Sequence, residues 1–184
     1  MQAILPLYNN AKLVFYNNPQ PTTPETVLAG TNTALCTFTF NTAAFGALSF
    51  SSPNELATAS FVASSVTPGA NGTATFARAT LAANAWAANA VYNTLFAVVT
   101  NSSNFYILTH IGTAAASGGP GGTTNSITDN TAQWAYYASS AGQNNVLADF
   151  SIGTAGTDIV IGNTNITVSV NVTITSFVLQ MTAS

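Results

Sequence analysis

The sequence predicts an all-β protein, an antiparallel β-sandwich, and three observations carry the prediction. Apolar and polar residues alternate with a period of two through most apolar segments, as on half-buried strands. These segments are short, and clusters of Gly, Pro, Asn and Ser separate them. Strands do not alternate regularly with helical segments, which argues against a parallel α/β sheet. Together they give a sandwich of the jelly-roll or immunoglobulin-like kind with an inserted loop or hairpin region. The 184 residues suit one domain, 1–184. A chain near this size buries roughly 70% of its unfolded surface and needs no disulfide or metal to make a core.

In chain order, residues 1–10 (MQAILPLYNN) form an N-terminal arm expected to be a flexible contact piece. No charged leader precedes its apolar residues, so no signal peptide is expected. "KLVFY" (12–16) is a strand, ended by the proline-bearing loop "NNPQPTTPE". "ALCTFTF" (34–40) puts Cys36, Phe38 and Phe40 on one face and Thr37 and Thr39 on the other. "ALSF" (47–50), "ATASFVASSV" (57–66) and "TATFARA" (73–79) continue the pattern, the last with Phe76 and Arg78 on one face. Residues 80–130 read as an insertion. Within it, Leu81, Ala85, Ala88, Tyr92, Leu95 and Val99 have helical spacing, yet "AVYNTLFAVVT" is rich in β-formers. A loop or short helix near 82–90 is expected, then a hairpin closed by "NSSN" and a flexible loop at "GGPGG". "AQWAYYAS" (132–139) and "VLADFSI" (146–152) read as strands across an "AGQNN" turn. Even positions from Ile166 to Ile174 are apolar, whereas Phe177 and Leu179 continue on odd positions. A one-residue slip turns every later side chain over, so a bulge or sheet crossing is predicted near Thr175 and Ser176.

Composition narrows function. Only 4% of residues are charged, against roughly 25% in an average domain, while 47% are hydrophobic. That combination gives a folded chain with a neutral polar surface, which favours packing against copies of itself or other proteins. Lys12 and Arg78 are the two cations, too few to neutralise a run of phosphates, so no nucleic-acid partner is expected. The longest mostly apolar run, Val91 to Val99, is about half of the ~20 residues of a membrane span, so no membrane partner is expected either.

The candidate chemistry is thin. Cys36, in register with two phenylalanines, reads as a buried small hydrophobe rather than a nucleophile. His110, at a strand end, lacks a marked orienting partner. Glu25, Glu55, Asp129, Asp149 and Asp158 show no spacing that pairs an acid with a base, and Asp158 reads as a turn cap. Arg78 reads first as a structural ion pair and second as a ligand contact. No His, Cys, Asp or Glu cluster suggests a metal. The reading is a non-enzyme without cofactor or metal. Its candidate interface residues are Arg78, Trp86, Trp134, Tyr136 and Tyr137, the aromatics offering a stacking platform or filling a core.

"GTATFAR" (72–78) followed by "VLADFSIGTAGTDIVIGNTNITVSVNVTITSF" (146–177) resembles a family of small β-rich structural proteins of tailed bacteriophages and prophages. There a GTA-x-x-x-R strand precedes a strand ending V/I-G-T-x-G-x-D, and I-T-x-x-x-x-V-x-I-T-S-F closes the chain. "NTAQWAY" (130–136) partly echoes the first motif, and Ser169-Val170-Asn171 stands where the family has a glycine. The resemblance implies a capsid decoration (cement) protein on the outer surface of the head, made in the bacterial cytoplasm. Its partners would be the major capsid protein and copies of itself, as a homotrimer. The alternative is a tail or fibre module that binds host glycans. The family brings no catalytic residues.

Overall fold

The computed structural model describes residues 4–52, 54–141 and 144–182. Among them there is no α-helix: a 3-10 turn at Leu5–Tyr8 precedes a succession of strands. The first seven are β1 (Lys12–Tyr16), β2 (Ala34–Phe45), β3 (Ser49–Ser51), β4 (Asn54–Phe61), β5 (Ser65–Val66), β6 (Gly72–Thr73) and β7 (Phe76–Thr80). Then come β8 (Asn84–Ala85), β9 (Val91–Tyr92), β10 (Val98–Asn101), β11 (Asn104–His110), β12 (Gly112–Thr113), β13 (Ile127–Asp129) and β14 (Ala132–Ser139). The last are β15 (Val146–Gly153), β16 (Ile159–Ile161), β17 (Asn165–Ile166) and β18 (Val172–Thr182). The chain divides into two compact units, Met1–Thr80 with Val146–Ser184, and Leu81–Asn145. The region expected as an insertion at 80–130 corresponds to the second unit, which extends to Asn145 because β14 pairs inside it.

In the first unit the strands follow the order β4-β2-β1-β7-β15-β16-β18, and β18 pairs back onto β4. The ladder closes into a seven-strand barrel, a different description from the two-layered sandwich expected from the sequence. Closure depends on two long strands that each change neighbour along their length. β2 pairs β1 through residues 34–39 and β4 from Phe40 onward. β18 runs from β5 to β16 to β4. In β18 the change of register falls where the apolar pattern slips: Ile161 faces Ile174 and Val160 faces Ser176, so Thr175 is the extra residue of a bulge. The Thr175 hydroxyl donates to Val160 O at 2.9 Å, satisfying a carbonyl beside the bulge. The even-residue alternation from 166 to 174 is not one strand, however. The Val170 N–H donates to Thr167 O at 3.0 Å, which turns the chain between β17 and β18 and leaves Val168 and Val170 exposed.

All barrel pairings are antiparallel except β15 with β16. Parallel neighbours ordinarily need a crossover of a dozen or more residues; here residues 154–158 suffice. Asp158 makes this possible: its Oδ2 accepts both the Ser151 N–H and the Ser151 hydroxyl at 2.8 Å, closing the loop from its far end. Gly156, at φ 67°, supplies the left-handed residue of the reversal.

The interior follows the pleat. Leu13, Phe15, Cys36, Phe38, Phe40, Ala77, Ala79, Phe150, Ile159, Ile161 and Phe177 are buried. Ala77 lies between Phe15 on one neighbouring strand and Phe150 on the other, a large-small-large sequence that lets the rings interdigitate. Phe40 meets Phe61, and Phe150 meets Phe177, at ring-centroid distances of 4.8 Å. The N-terminal arm departs from expectation. Tyr8 is buried against Phe40 and Phe45, and Asn9 Oδ1 accepts the Ala44 N–H, so residues 4–10 are docked on this unit. Residues 1–3 of the arm lie outside the described residues.

The second unit is a five-stranded sheet, β13-β14-β11-β10-β8, with a two-stranded ladder of β9 and β12. Its core holds Val99, Tyr106, Leu108, Ala132 and Trp134. Residues 82–90 form no helix: the Trp86 N–H donates to Thr100 O at 3.0 Å, tying the segment to β10. The β10–β11 hairpin expected at "NSSN" is present. The expected pairing of 132–139 with 146–152 is not, since β14 pairs β11 and β13 while β15 pairs β7 and β16. Ser102 and Ser103 at the hairpin tip have φ 48° and 62°, as a two-residue I′ turn requires, and that turn favours Asn-Gly. Replacing Ser102-Ser103 with Asn-Gly is expected to stabilise this unit by about 1 kcal/mol. The urea midpoint would rise at unchanged slope.

Candidate functional site

The few ionisable side chains are the natural place to look for chemistry, and the fold employs most of them internally. Arg78 and Asp149 are register partners on β7 and β15. Arg78 Nε donates to Asp149 Oδ1 at 2.7 Å and Nη2 to Oδ2 at 2.8 Å, with both side chains only 2% exposed. Arg78 Nη1 also donates to Thr26 O at 3.0 Å, so the loop after β1 covers the pair. Arg78 therefore fills the structural role and presents nothing to a partner.

Asp129 is the buried carboxylate that sequence reasoning missed. It ends β13, is 4% exposed, and collects three donors. Trp86 Nε1 donates to Oδ2 at 2.8 Å, Trp134 Nε1 to the same oxygen at 3.1 Å, and the Ala115 N–H to Oδ1 at 2.9 Å. The signal was present: residues 81–145 contain both tryptophans and a single charged residue, and a buried indole needs an acceptor.

This cluster also decides the aromatic platform. Trp134 is fully buried, with Tyr92 edge-on to it at 4.8 Å. Trp86 is half-buried with its N–H engaged. Tyr136 packs against Tyr106, and Tyr137, half-buried, is the extra residue where the β11–β14 register shifts. Burial raises the Tyr137 hydroxyl above its ordinary value. The four rings do not share one exposed face.

Cys36 is buried in the barrel, which pushes its thiol up to about 12. Two outcomes follow. At neutral pH the native thiol is expected to resist alkylation by iodoacetamide and to react on unfolding in urea, because the thiolate is the nucleophile. The linkage runs the same way. Above the thiol's ordinary pKa of about 8.5 the unfolded chain loses a proton that the folded chain keeps, so stability should fall as pH rises from about 9 toward 12. The burial-raised hydroxyls of Tyr16 and Tyr137 act in the same direction. Urea midpoints measured across that pH range check it. His110 is exposed at the end of β11, opposite Gln133.

Among the described residues no three His, Cys, Asp or Glu side chains gather in a way that holds a metal ion. No helix among them is long and apolar enough to cross a membrane. A cleft of about 390 Å³ is lined by residues of 161–173, including Asn163, Asn165, Val170 and Asn171, with no ionisable or aromatic side chain. It has neither an acid–base group nor a stacking ring. What remains available to a partner is surface: Val27, Phe50 and Val62 on the first unit, each 67% exposed, and Val91, Leu95, Phe96 and Ile111 on the second. No family model, curated protein or solved structure matches the chain.

Proposed function

We propose that the protein is a capsid decoration (cement) protein of a tailed bacteriophage, bound as a homotrimer to the outer surface of the major capsid protein shell. The observation that carries this reading is the disposition of charge: Arg78, Asp149 and Asp129 are buried, and large apolar side chains stand exposed on a nearly neutral surface. Such a surface suits close, repeated protein contact, in which like charges on neighbouring copies would repel. The motifs at 72–78 and 146–177 support the viral assignment. Binding staples neighbouring shell subunits by burying apolar area, at ~25 cal/mol per Å², and repetition over a lattice multiplies modest contacts into a stable shell. The antiparallel sandwich expected from the sequence is kept in this reading as the finer form of the all-β fold. The glycan-binding alternative needs an exposed stacking face, and the burial of Trp134 removes its central ring.

The test is co-sedimentation of the purified protein with empty shells of the major capsid protein of the same phage. Saturable binding, with shells that withstand higher temperature when coated, is the expected result. No binding at any ratio overturns the proposal.

A further inference from the structure

The second unit carries one charged residue, Asp129, and that residue is buried. Its surface therefore holds no formal charge apart from any on His110. On this surface four large apolar side chains stand out: Val91 is 71% exposed, Ile111 49%, Leu95 48% and Phe96 39%.

The register brings Val91 and Ile111 together, and backbone hydrogen bonds place the other two beside them in the chain path. In the β9–β12 ladder Val91 pairs Thr113 and Tyr92 pairs Gly112. Tyr92 faces inward onto Trp134, so Val91 and Ile111 fall on the outer side, as diagonal neighbours. The chain after β9 turns at 94–97, with the Ala97 N–H donating to Thr94 O at 3.2 Å. That turn is fastened to β11 by the Phe96 N–H to Leu108 O at 3.0 Å and the Leu108 N–H to Ala97 O at 2.9 Å. Leu95 and Phe96 thus sit beside the strand that leads into Ile111.

Two features mark the face as built for contact. Phe96 has φ 65°, a left-handed conformation that costs a bulky residue roughly 1–2 kcal/mol and that Gly or Asn adopts readily. A phenylalanine held there in partial exposure is strained without filling a core, and such strain gathers at functional surfaces. The ladder beneath is also rigid. A Cβ on Gly112 would lie 2.4 Å from the Thr131 backbone, and the Thr131 hydroxyl accepts the Thr113 N–H at 2.7 Å. At their exposures the four residues offer on the order of 400 Å² of largely apolar surface, the size of the largest patch on a typical monomer, which is often functional. That approaches the apolar share of a stable interface of about 800 Å² per partner, roughly 56% apolar.

We infer that this face, Val91, Leu95, Phe96 and Ile111, is where the chain associates with a second copy of itself. A charged partner would have to desolvate its charges against a surface with almost none to offer in return, whereas the uncharged surface of a neighbouring copy's second unit meets no such cost. The inference rests on the self-association within the proposed function and gives it a location. Its test is made in free solution, so failure to bind shells and failure of this face are separate results.

Sedimentation velocity of the full chain over a concentration series is the experiment. The wild type is expected to form a discrete oligomer, and Val91→Asp and Ile111→Asp to weaken assembly at least tenfold while keeping the wild-type circular dichroism. Phe96→Gly relieves the left-handed strain, so assembly should weaken with melting near the wild-type temperature. Phe50→Asp, on the first unit, should assemble normally. A wild type that is monomeric throughout overturns the inference. So does assembly unaffected by the three second-unit substitutions, or assembly lost only in Phe50→Asp.

Discussion

Asp129→Ala is expected to destabilise the 81–145 unit by at least about 3 kcal/mol, a large share of the stability of a unit this size. The substitution leaves the Trp134 indole N–H buried without its acceptor and also strips Trp86 and Ala115 of theirs. Charge-assisted bonds are the stronger kind, and an orphaned buried donor bears the full desolvation penalty. Asp129→Asn should fall between, because its one carbonyl oxygen can serve the indoles while its NH2 group confronts the Ala115 N–H. Trp86 and Trp134 are the two tryptophans of the chain, and both lie in this unit. Tryptophan emission during urea titration therefore follows this unit alone. An emission midpoint for Asp129→Ala equal to that of the wild type would refute the assignment.

The second large effect belongs to the barrel. Arg78→Met and Asp149→Leu should each cost about 3–5 kcal/mol, since each leaves one buried charge without its partner. The double variant should recover most of the loss, because two apolar side chains of similar volume remove both charges together. Circular dichroism melts of the four proteins, which form a double-mutant cycle, decide the matter. Additive losses would mean that the two side chains do not act as a pair.

The contrast between these two carboxylates explains what could be read from sequence. Alternation at 34–40 is local, so the inward face of Cys36, Phe38 and Phe40 was legible, as was the slip that places the bulge at Thr175. Arg78 was legible as an ion-pairing residue because so few charges stand near it. Its partner was not, for Asp149 meets it only after the whole second unit has intervened. Asp129 sat in a polar run that looks like a loop, and its meaning depends on Trp86 and Ala115, 43 and 14 residues away along the chain. The closure of the barrel was hidden for the same reason, since the β4–β18 pairing joins residues 54–58 to 178–182. The short range that reveals strands does not reveal which strands meet. The turn at 167–170 shows the converse error: an apolar pattern suggested one strand where the chain reverses and its valines face outward.

Thr80 and Val146 are register partners on adjacent strands of the barrel. The chain thus leaves and re-enters the ladder at one point. A short Asn-Gly link from Thr80 to Val146 would complete an ordinary hairpin there. A foreign domain whose ends lie close together is therefore expected to be accepted in place of residues 81–145, with the barrel strands on either side of the junction kept.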